Sequence, residues 1–359
     1  GNWEIVDVMR GFTADRGYNR LFPNLSNSED ATTKLGVNST GFFSTSAMET
    51  NGATIVYMAI RRGPMATPTA ASSVFAIDSA QSTSGGPAFI SSTLVDFLLA
   101  RVPSATANMA ATARLTGTSF LQTHNNNAEG TSSDVTWDYN TGAWDGFSAS
   151  PAYQAWMWSR APGYFDVVAY TGNATAGRTV AHNLGVVPEM IWIKGRTAYG
   201  WVVYHKAMGN SKIINLNDTY YAYTQANFND TDPTSSVFTL GSIAGTNANN
   251  ATFIAYLFAT VAGVSKVGSV SHSGSSTDVD CGFSSGASLV MLKRTDAVGD
   301  WYWWDYARGI VSGNDPYLFL NSTAAEVTNT DLIDPLSSGF TITDDFTDGD
   351  YIFYAIAAV

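Results

Sequence analysis

The chain repeats itself, and this internal period constrains its fold more than any other feature of the sequence. Four short runs of aromatic and aliphatic residues resemble one another. Their central positions Tyr57, Trp156, Tyr256 and Tyr354 stand 99, 100 and 98 residues apart. Three near-equal spacings between similar runs rarely arise by chance. The sequence therefore predicts about four copies of one small domain.

The period divides the chain into four units. We predict unit 1 at residues 1–64, unit 2 at 74–163, unit 3 at 164–263 and unit 4 at 264–359. A second landmark agrees with this division, because Gly1-Asn2-Trp3 lies 298 residues before Gly299-Asp300-Trp301. Units 1 and 4 are therefore in register, three periods apart.

Unit 1 is incomplete. Units 2 to 4 each open with an apolar run, at 95–99, 190–193 and 289–292, whereas Gly1 already falls later in the period. A β-domain without its first strands would expose a sheet edge and part of its core. We therefore expect the chain to be a piece of a longer protein, or a second chain to supply the missing strands.

Strand signals dominate every unit. Short runs rich in Val, Ile, Phe, Tyr, Trp and Thr are bounded by Gly, Asn, Asp, Ser and Pro, at intervals typical of sandwiches and jelly rolls. We predict an all-β chain, a tandem array of antiparallel β-sandwich (jelly-roll or concanavalin-like) domains with a period of about 99 residues. In the run 300–305, Trp301 and Trp303 should share one face of a strand, and Tyr302 and Trp304 the other.

The composition excludes several classes of protein. Charged residues make up only 13 % of the chain, against about 25 % in average domains. The net charge is −12, so we expect no nucleic-acid partner, which would need a basic surface. There is no run of 18 apolar residues, so we expect no membrane span. The single cysteine, Cys281, should be a small buried apolar residue.

No set of catalytic residues stands out. The four histidines fall at different phases of the repeat, and the sequence contains no zinc-protease motif, no nucleophile elbow and no phosphate-binding loop. We therefore expect a protein that is not an enzyme, with no catalytic residues and no cofactor apart from a calcium candidate. The candidate ligands are Asp344, Asp345, Asp348 and Asp350, because calcium prefers several oxygen ligands on a flexible loop. The alternative is a solvated hairpin tip, where Asp-Gly is common.

Loop aromatics are the candidate binding residues. Most aromatic residues of a sandwich are core, but those in loops that differ between units can contact a sugar or a protein surface. The candidates for glycan contact are Trp137, Tyr139, Trp144, Tyr220, Tyr221 and Tyr223.

An arginine recurs near one phase of the repeat, at Arg10, Arg114 and Arg308. Recurrence at one phase indicates a structural task. We predict that these arginines pair across a turn, for example with Asp7 or Asp305, rather than with a ligand.

Four segments resemble repeated domains in the virion proteins of tailed bacteriophages, which include structural and tail-fibre-like proteins. They are 155–172, 182–191, 256–268 and 307–318, and the resemblance covers nearly the whole chain. It implies a structural protein on the virion surface with no catalytic residues.

The resemblance and the repeat together suggest a tail fibre or appendage that contacts the host surface. Expected partners are other copies of the chain, as in the common trimeric fibres, other virion proteins, and a host-surface glycan or protein. One alternative is a capsid-decorating or other non-adhesive virion protein. An alternative from another class is a glycan depolymerase, which would need a pair of carboxylates about 5–10 Å apart; no recurrent pair is present.

Overall fold

The computed structural model describes residues 2–14, 17–38, 41–44, 54–60, 66–79, 86–137, 139–145 and 152–359. Within these ranges the chain is all-β, as the sequence predicts. The helical elements that the same ranges contain are 3₁₀ turns at Val8–Arg10, Ala71–Ser73, Arg114–Thr116 and Lys206–Met208, and one α-helical turn at Ala244–Asn247. None of the described helices has the length and apolar character needed to cross a bilayer.

Unit 1 contributes two hairpins. Strand β1 (Tyr18–Arg20) pairs with β2 (Asp30–Thr32), and β3 (Leu35–Asn38) pairs with β4 (Gly41–Ser44), both antiparallel. The run Thr54–Ile60 matches a strand in the other units, but here it forms no strand and is exposed, with Met58 85 % accessible. The strands that flank its equivalents have no counterpart among the described residues of unit 1, so this run has no described strand to pair with.

Unit 2 folds into two sheets. Its strands are β5 (Phe75–Ser79), β6 (Pro87–Ile90), β7 (Phe97–Arg101), β8 (Ala110–Ala113), β9 (Ser119–Gln122), β10 (Gly130–Thr131), β11 (Gly142–Asp145) and β12 (Gln154–Trp158). The large sheet has the order β10-β9-β8-β7-β12-β5, and β6 pairs with β11.

Unit 3 has the same order. Its strands are β13 (Phe165–Thr171), β14 (Arg178–Ala181), β15 (Met190–Gly195), β16 (Trp201–His205), β17 (Lys212–Asn215), β18 (Tyr223–Thr224), β19 (Val237–Leu240) and β20 (Thr252–Phe258). The large sheet runs β13-β20-β15-β16-β17-β18, and β14 pairs with β19.

Unit 4 repeats the pattern with a larger second sheet. Its strands are β21 (Ser265–His272), β22 (Thr277–Asp280), β23 (Ala287–Arg294), β24 (Trp301–Asp305), β25 (Tyr317–Phe319), β26 (Ile333–Leu336), β27 (Gly339–Ile342) and β28 (Gly349–Ala357). The large sheet is β21-β28-β23-β24-β25, and the second sheet is β22-β27-β26.

In units 2 to 4 the last strand of the unit lies in the large sheet between the first and the third. The apolar runs at 95–99, 190–193 and 289–292 therefore belong to third strands. The expectation that each unit opens with such a run is wrong, since β5, β13 and β21 precede them. These first strands pair along their length with the last strand of their own unit.

Both faces of the large sheets are buried. Along β15, Ile191 and Ile193 point into the core of unit 3, whereas Met190 and Trp192 point into a second core shared by units 2, 3 and 4. This alternation is the two-residue period of a strand with apolar material on both sides. The shared core holds the largest buried aromatic side chains, so it contributes much of the stability of the fold.

The predicted alternation along β24 is confirmed. Trp303 points into the shared core, where its ring centroid lies 5.8 Å from that of Trp156 in unit 2. Tyr302 and Trp304 are on the opposite face, with ring planes at 8° and centroids 5.3 Å apart.

The units do not lie in a line, because unit 4 returns to contact unit 2. Thr123 Oγ1 in unit 2 donates to the Leu320 carbonyl in unit 4 at 2.5 Å, and Gln154 Nε2 donates to Asp305 Oδ1 at 3.0 Å. Units 2–3 and 3–4 are also in contact, as Trp201 Nε1 donates to the Gln122 carbonyl at 2.9 Å and Trp301 Nε1 to the Asn215 carbonyl at 2.8 Å. Units 2, 3 and 4 therefore close into a ring around the shared core.

Candidate functional site

The junctions between units are built alike, around one buried cation at the end of each third strand. The cations are Arg101, Lys194 and Lys293. Arg101 donates to the carbonyls of Ser322, Thr323 and Ala324 in unit 4, at 3.3, 3.1 and 2.7 Å. Lys194 Nζ donates to the Asn127 carbonyl of unit 2 at 2.9 Å, and Lys293 Nζ to the Thr219 carbonyl of unit 3 at 3.2 Å. Each cation therefore holds a loop of the preceding unit in the ring.

Burial shapes the electrostatics of these junctions. It lowers the pKa of Lys194 and of Lys293 to about 8 and that of Arg101 to about 10. The ammonium groups are bound by carbonyl oxygens, which stabilise a buried charge less than a carboxylate would. The three cations are equivalent in strand register, since each lies two residues beyond the partner of a central last-strand residue, at Leu99, Trp192 and Met291. Their spacings in the sequence are 93 and 99 residues, so the period alone does not align Arg101 with the two lysines.

The same loops also make backbone contacts two residues beyond each cation. The amide of Glu129 donates to the Arg196 carbonyl at 3.0 Å, that of Ala222 to Thr295 at 3.1 Å, and that of Glu326 to Pro103 at 2.8 Å. At the junction between units 2 and 3 an ion pair is added, with Arg196 Nε 2.8 Å from Glu129 Oε2. Equivalent backbone contacts therefore hold the loops in place at all three junctions.

The loop of unit 3 presents aromatic side chains to solvent. Tyr220 is 64 % exposed and Tyr221 47 %. Their loop is fixed on both sides, because the Ala222 amide bonds to Thr295 and the Gly299 amide donates to the Thr219 carbonyl at 3.0 Å. The Tyr220 amide also donates to Asp218 Oδ1 at 2.9 Å. We call residues 218–223 the tyrosine loop. Its Tyr220 and Tyr221 side chains are exposed, and hydrogen bonds to unit 4 and to Asp218 hold its backbone in place.

Two of the predicted glycan contacts are wrong. Trp137 and Trp144 are 4 % and 3 % exposed, and both belong to the inner core of unit 2. Trp137 Nε1 donates to the Gly117 carbonyl at 2.8 Å, and its ring lies under the Arg114 guanidinium. These indoles fill the space between the sheets, so they cannot contact a ligand.

The remaining two candidates are half-buried. The carbonyl of Tyr139 accepts a hydrogen bond from Arg114 at 3.0 Å. Tyr223 lies in β18, and its hydroxyl is 3.3 Å from Asn215 Nδ2. Only the tyrosine loop combines exposure with a fixed backbone, so Tyr220 and Tyr221 are the strongest of the six candidates.

The acidic run 344–350 does not converge on one point. Asp348 Oδ1 accepts the Gly274 amide at 2.6 Å, and Asp350 Oδ1 accepts the Ser271 hydroxyl at 2.5 Å. Asp344 and Asp345 instead help to raise the pKa of Asp331, after burial and Asp334. Within the described residues there is no group of three or more His, Cys, Asp or Glu side chains that could hold a metal ion.

The predicted Asp–Arg turns are confirmed. Arg10 forms an ion pair with Asp7, and Arg308 Nη2 lies 2.7 Å from Asp305 Oδ2. The buried Asp305 carboxylate also accepts Trp156 Nε1 of unit 2 at 3.1 Å, so in unit 4 this turn stabilises the closure of the ring. Arg114 has another structural task, since its Nε donates to the Val95 carbonyl at 2.9 Å.

Cys281 is buried, as predicted. Burial raises the pKa of its thiol to about 12. The thiol therefore stays protonated at neutral pH, which removes the nucleophilic form.

The model of one protein family, described as a domain of unknown function (DUF7483), matches residues 104–358, and the chain belongs to that family. Neither the curated proteins nor the solved structures gave a significant match.

Proposed function

We propose that this member of the DUF7483 family is a structural protein of a tailed-phage virion, a fibre or appendage tip that contacts the host surface through the tyrosine loop. The observation that carries the proposal is this loop, whose two exposed rings sit on a backbone bonded to the neighbouring unit. Because the backbone is already ordered, little conformational entropy is lost on binding. Tyrosine also offers a large contact area with few rotatable bonds.

We further propose that units 2 to 4 are tandem copies of one jelly-roll-like sandwich with a period of about 99 residues. The shared strand order and the matching junction cations support this reading. Three related units closed around one core produce, within a single chain, the threefold arrangement that trimeric fibres reach with three chains. Such a ring is a rigid platform on which loops can vary without changing the scaffold.

The low charge also supports a surface role. A chain with 13 % charged residues and a net charge of −12 has few sites for non-specific attraction to nucleic acid. Exposed aromatic groups among neutral polar ones favour contact with glycans, whose apolar ring faces stack on tyrosine. A protein surface of the host is the other ligand class that such a patch fits.

The test is binding of the full chain to host cells and to an array of bacterial surface glycans, compared with the double variant Y220A/Y221A. We expect the wild-type chain to bind and the double variant to lose at least about tenfold in affinity, since each aromatic contact contributes about 1 kcal/mol or more. The matched control is Y306A. Tyr306 is also 47 % exposed, and it follows the opposite end of β24 from Gly299.

The outcomes separate the alternatives. Absence of binding by the wild-type chain to any host surface would contradict the adhesive role and favour a capsid-decorating protein. Shortening of the host polysaccharide by the chain would favour a depolymerase instead. If Y220A/Y221A binds as tightly as the wild type, the chain contacts the host surface through residues outside the tyrosine loop.

A further inference from the structure

A loop of unit 4 runs beside the tyrosine loop and forms the other half of the same surface. The Gly299 amide donates to the Thr219 carbonyl at 3.0 Å, and the Ala222 amide donates to the Thr295 carbonyl at 3.1 Å. Because Gly299 follows Thr295 while Thr219 precedes Ala222, the two segments run antiparallel. The loop between β23 and β24 therefore lies directly opposite the two exposed tyrosines.

Val298 brings a third exposed side chain to this surface. It is 60 % exposed, and its neighbour Gly299 is bonded to the residue that precedes Tyr220. Tyr220 and Tyr221 are 64 % and 47 % exposed. Three large side chains therefore face solvent between two backbone hydrogen bonds that join units 3 and 4. Exposed apolar side chains that lie together mark interaction sites, whereas isolated ones are ordinary features of a protein surface.

The junction between units 4 and 2 has the same backbone frame. The Ala107 amide donates to the Thr323 carbonyl at 2.9 Å, and the Glu326 amide donates to the Pro103 carbonyl at 2.8 Å. These four residues have the same spacing along each segment as their counterparts at the junction of units 3 and 4. The positions between the two bonds are therefore equivalent at both junctions.

The side chains at these equivalent positions differ. The counterparts of the two tyrosines and the valine are small residues, namely Ala324, Ala325 and Thr106. At the junction of units 2 and 3 the loop of unit 2 exposes Asn126, Asn127 and Ala128. Among the described residues of the three junction loops, a cluster of large exposed apolar groups therefore occurs at the junction of units 3 and 4 alone. One frame carries three different surfaces.

The charges beside this surface restrict its ligand. Asp218 Oδ1 accepts the Tyr220 amide at 2.9 Å, and Asp296 is exposed in the opposite loop. Lys293 is buried and donates to the carbonyls of both loops, and Arg294 Nε lies 2.8 Å from Asp296 Oδ1. Neither cation is free to pair with an acidic sugar. Carboxylates accept hydrogen bonds from hydroxyl groups and repel another carboxylate or a phosphate.

We propose that Tyr220, Tyr221 and Val298 form one composite surface, shared by units 3 and 4, that binds an uncharged sugar of a host-surface glycan. The proposal rests on the adhesive role proposed above, and it adds the contribution of unit 4 and the class of ligand. The phenol rings and the valine contact the apolar face of a sugar ring. The exposed Asp296 carboxylate accepts hydrogen bonds from the sugar hydroxyls.

The ligand class is tested with the full chain on an array of bacterial surface polysaccharides, in which uncharged members are compared with members that contain uronic acid or phosphate. Affinities of the bound members are measured by isothermal titration calorimetry. We expect uncharged polysaccharides to bind at least about tenfold more tightly than acidic ones, because like charges oppose association. Preference for acidic polysaccharides, or binding to host cells that protease treatment abolishes, would overturn the proposal.

The contribution of unit 4 is tested with V298A. This variant should bind the uncharged polysaccharide at least about threefold more weakly, since it removes two methyl groups from the contact. The matched control is V187A, because Val187 is 49 % exposed and lies in the loop before β15, at the other end of that strand from Lys194. If Y220A/Y221A lost binding and V298A kept it, the composite surface would be refuted and the adhesive role would stand. Absence of binding by the wild type to any host surface would contradict both.

A graft tests whether these three side chains determine binding. The variant Y220A/Y221A is combined with A324Y/A325Y/T106V, which places the same side chains on the frame between units 4 and 2. We expect the graft to restore binding of the uncharged polysaccharide. Cooperative melting followed by circular dichroism establishes that the graft is folded. A folded graft that does not bind would overturn the assignment of specificity to these side chains.

Discussion

Replacement of Trp303 by alanine measures how much the shared core contributes. Trp303 is fully buried, and its ring contacts those of Trp156 and Trp158, at centroid distances of 5.8 and 6.1 Å. Both partners belong to unit 2. An aromatic side chain of this size buries about 150–250 Å², which corresponds to about 4–6 kcal/mol of apolar burial. Measured tryptophan-to-alanine changes in cores are about 3–5 kcal/mol.

We therefore expect W303A to lower the free energy of unfolding by about 3–5 kcal/mol. The assay is urea unfolding of the full chain followed by circular dichroism, in which the midpoint moves and the slope stays constant. The matched control is W3A, because Trp3 is 64 % exposed and its truncation should change stability by less than about 0.5 kcal/mol. If W303A and W3A behaved alike, Trp303 would not lie between units, and the packing described for the ring would be wrong.

Two further predictions follow from the same structure. The pKa of Lys194 and Lys293 is lowered to about 8, below the unfolded value of about 10.4, so between these pH values the unfolded chain binds more protons than the folded chain. The free energy of unfolding should therefore rise from about pH 8 to pH 10, by up to about 3 kcal/mol per lysine. Urea midpoints should rise over this range for the wild type and stay nearly constant for K194M/K293M; an equal rise in that variant would show that other groups cause the effect. Gly241 has no room for a side chain, since a Cβ would stand 1.9 Å from the Ala226 carbonyl oxygen. G241A should therefore lower the free energy of unfolding by about 1–3 kcal/mol or more, whereas G41A, with no atom within 4 Å of its added Cβ, should have little effect. Equal urea midpoints for the two variants would contradict the close approach of Gly241 to Ala226.

Local patterns in the sequence predicted local structure well. The alternation of Trp301 to Trp304 follows from the two-residue period of a strand, and the Asp305–Arg308 turn follows from two opposite charges three residues apart. Burial of Cys281 was also predicted. Each of these depends only on residues that are neighbours along the chain, which the sequence displays directly.

Contacts between units could not be predicted from spacing. A period of about 99 residues is equally compatible with units in a line and units in a ring. The ring depends on which face of each large sheet is covered, and runs such as Met190 to Ile193 are apolar on both faces without showing what covers them. The prediction for Trp137 and Trp144 failed for a similar reason, because Trp144 lies in β11 and Trp137 in the segment before it, and both pack inside unit 2.

The acidic run 344–350 is dense in the sequence, but Asp348 and Asp350 bond to Gly274 and Ser271, which lie more than 70 residues earlier in the chain. No short motif shows such a pairing. The tyrosine loop was found because a difference between repeats is visible in the sequence.

Closure of the ring is tested most directly by the radius of gyration of the monomeric chain in small-angle X-ray scattering. A chain of 359 residues folded around one core should have a radius of gyration of about 21 Å. Four separate domains in a line, each with a radius of gyration of about 13 Å and spaced about 30 Å apart, would give about 35 Å. We predict a value near the smaller figure, and a value near the larger one would show that unit 4 does not return to unit 2.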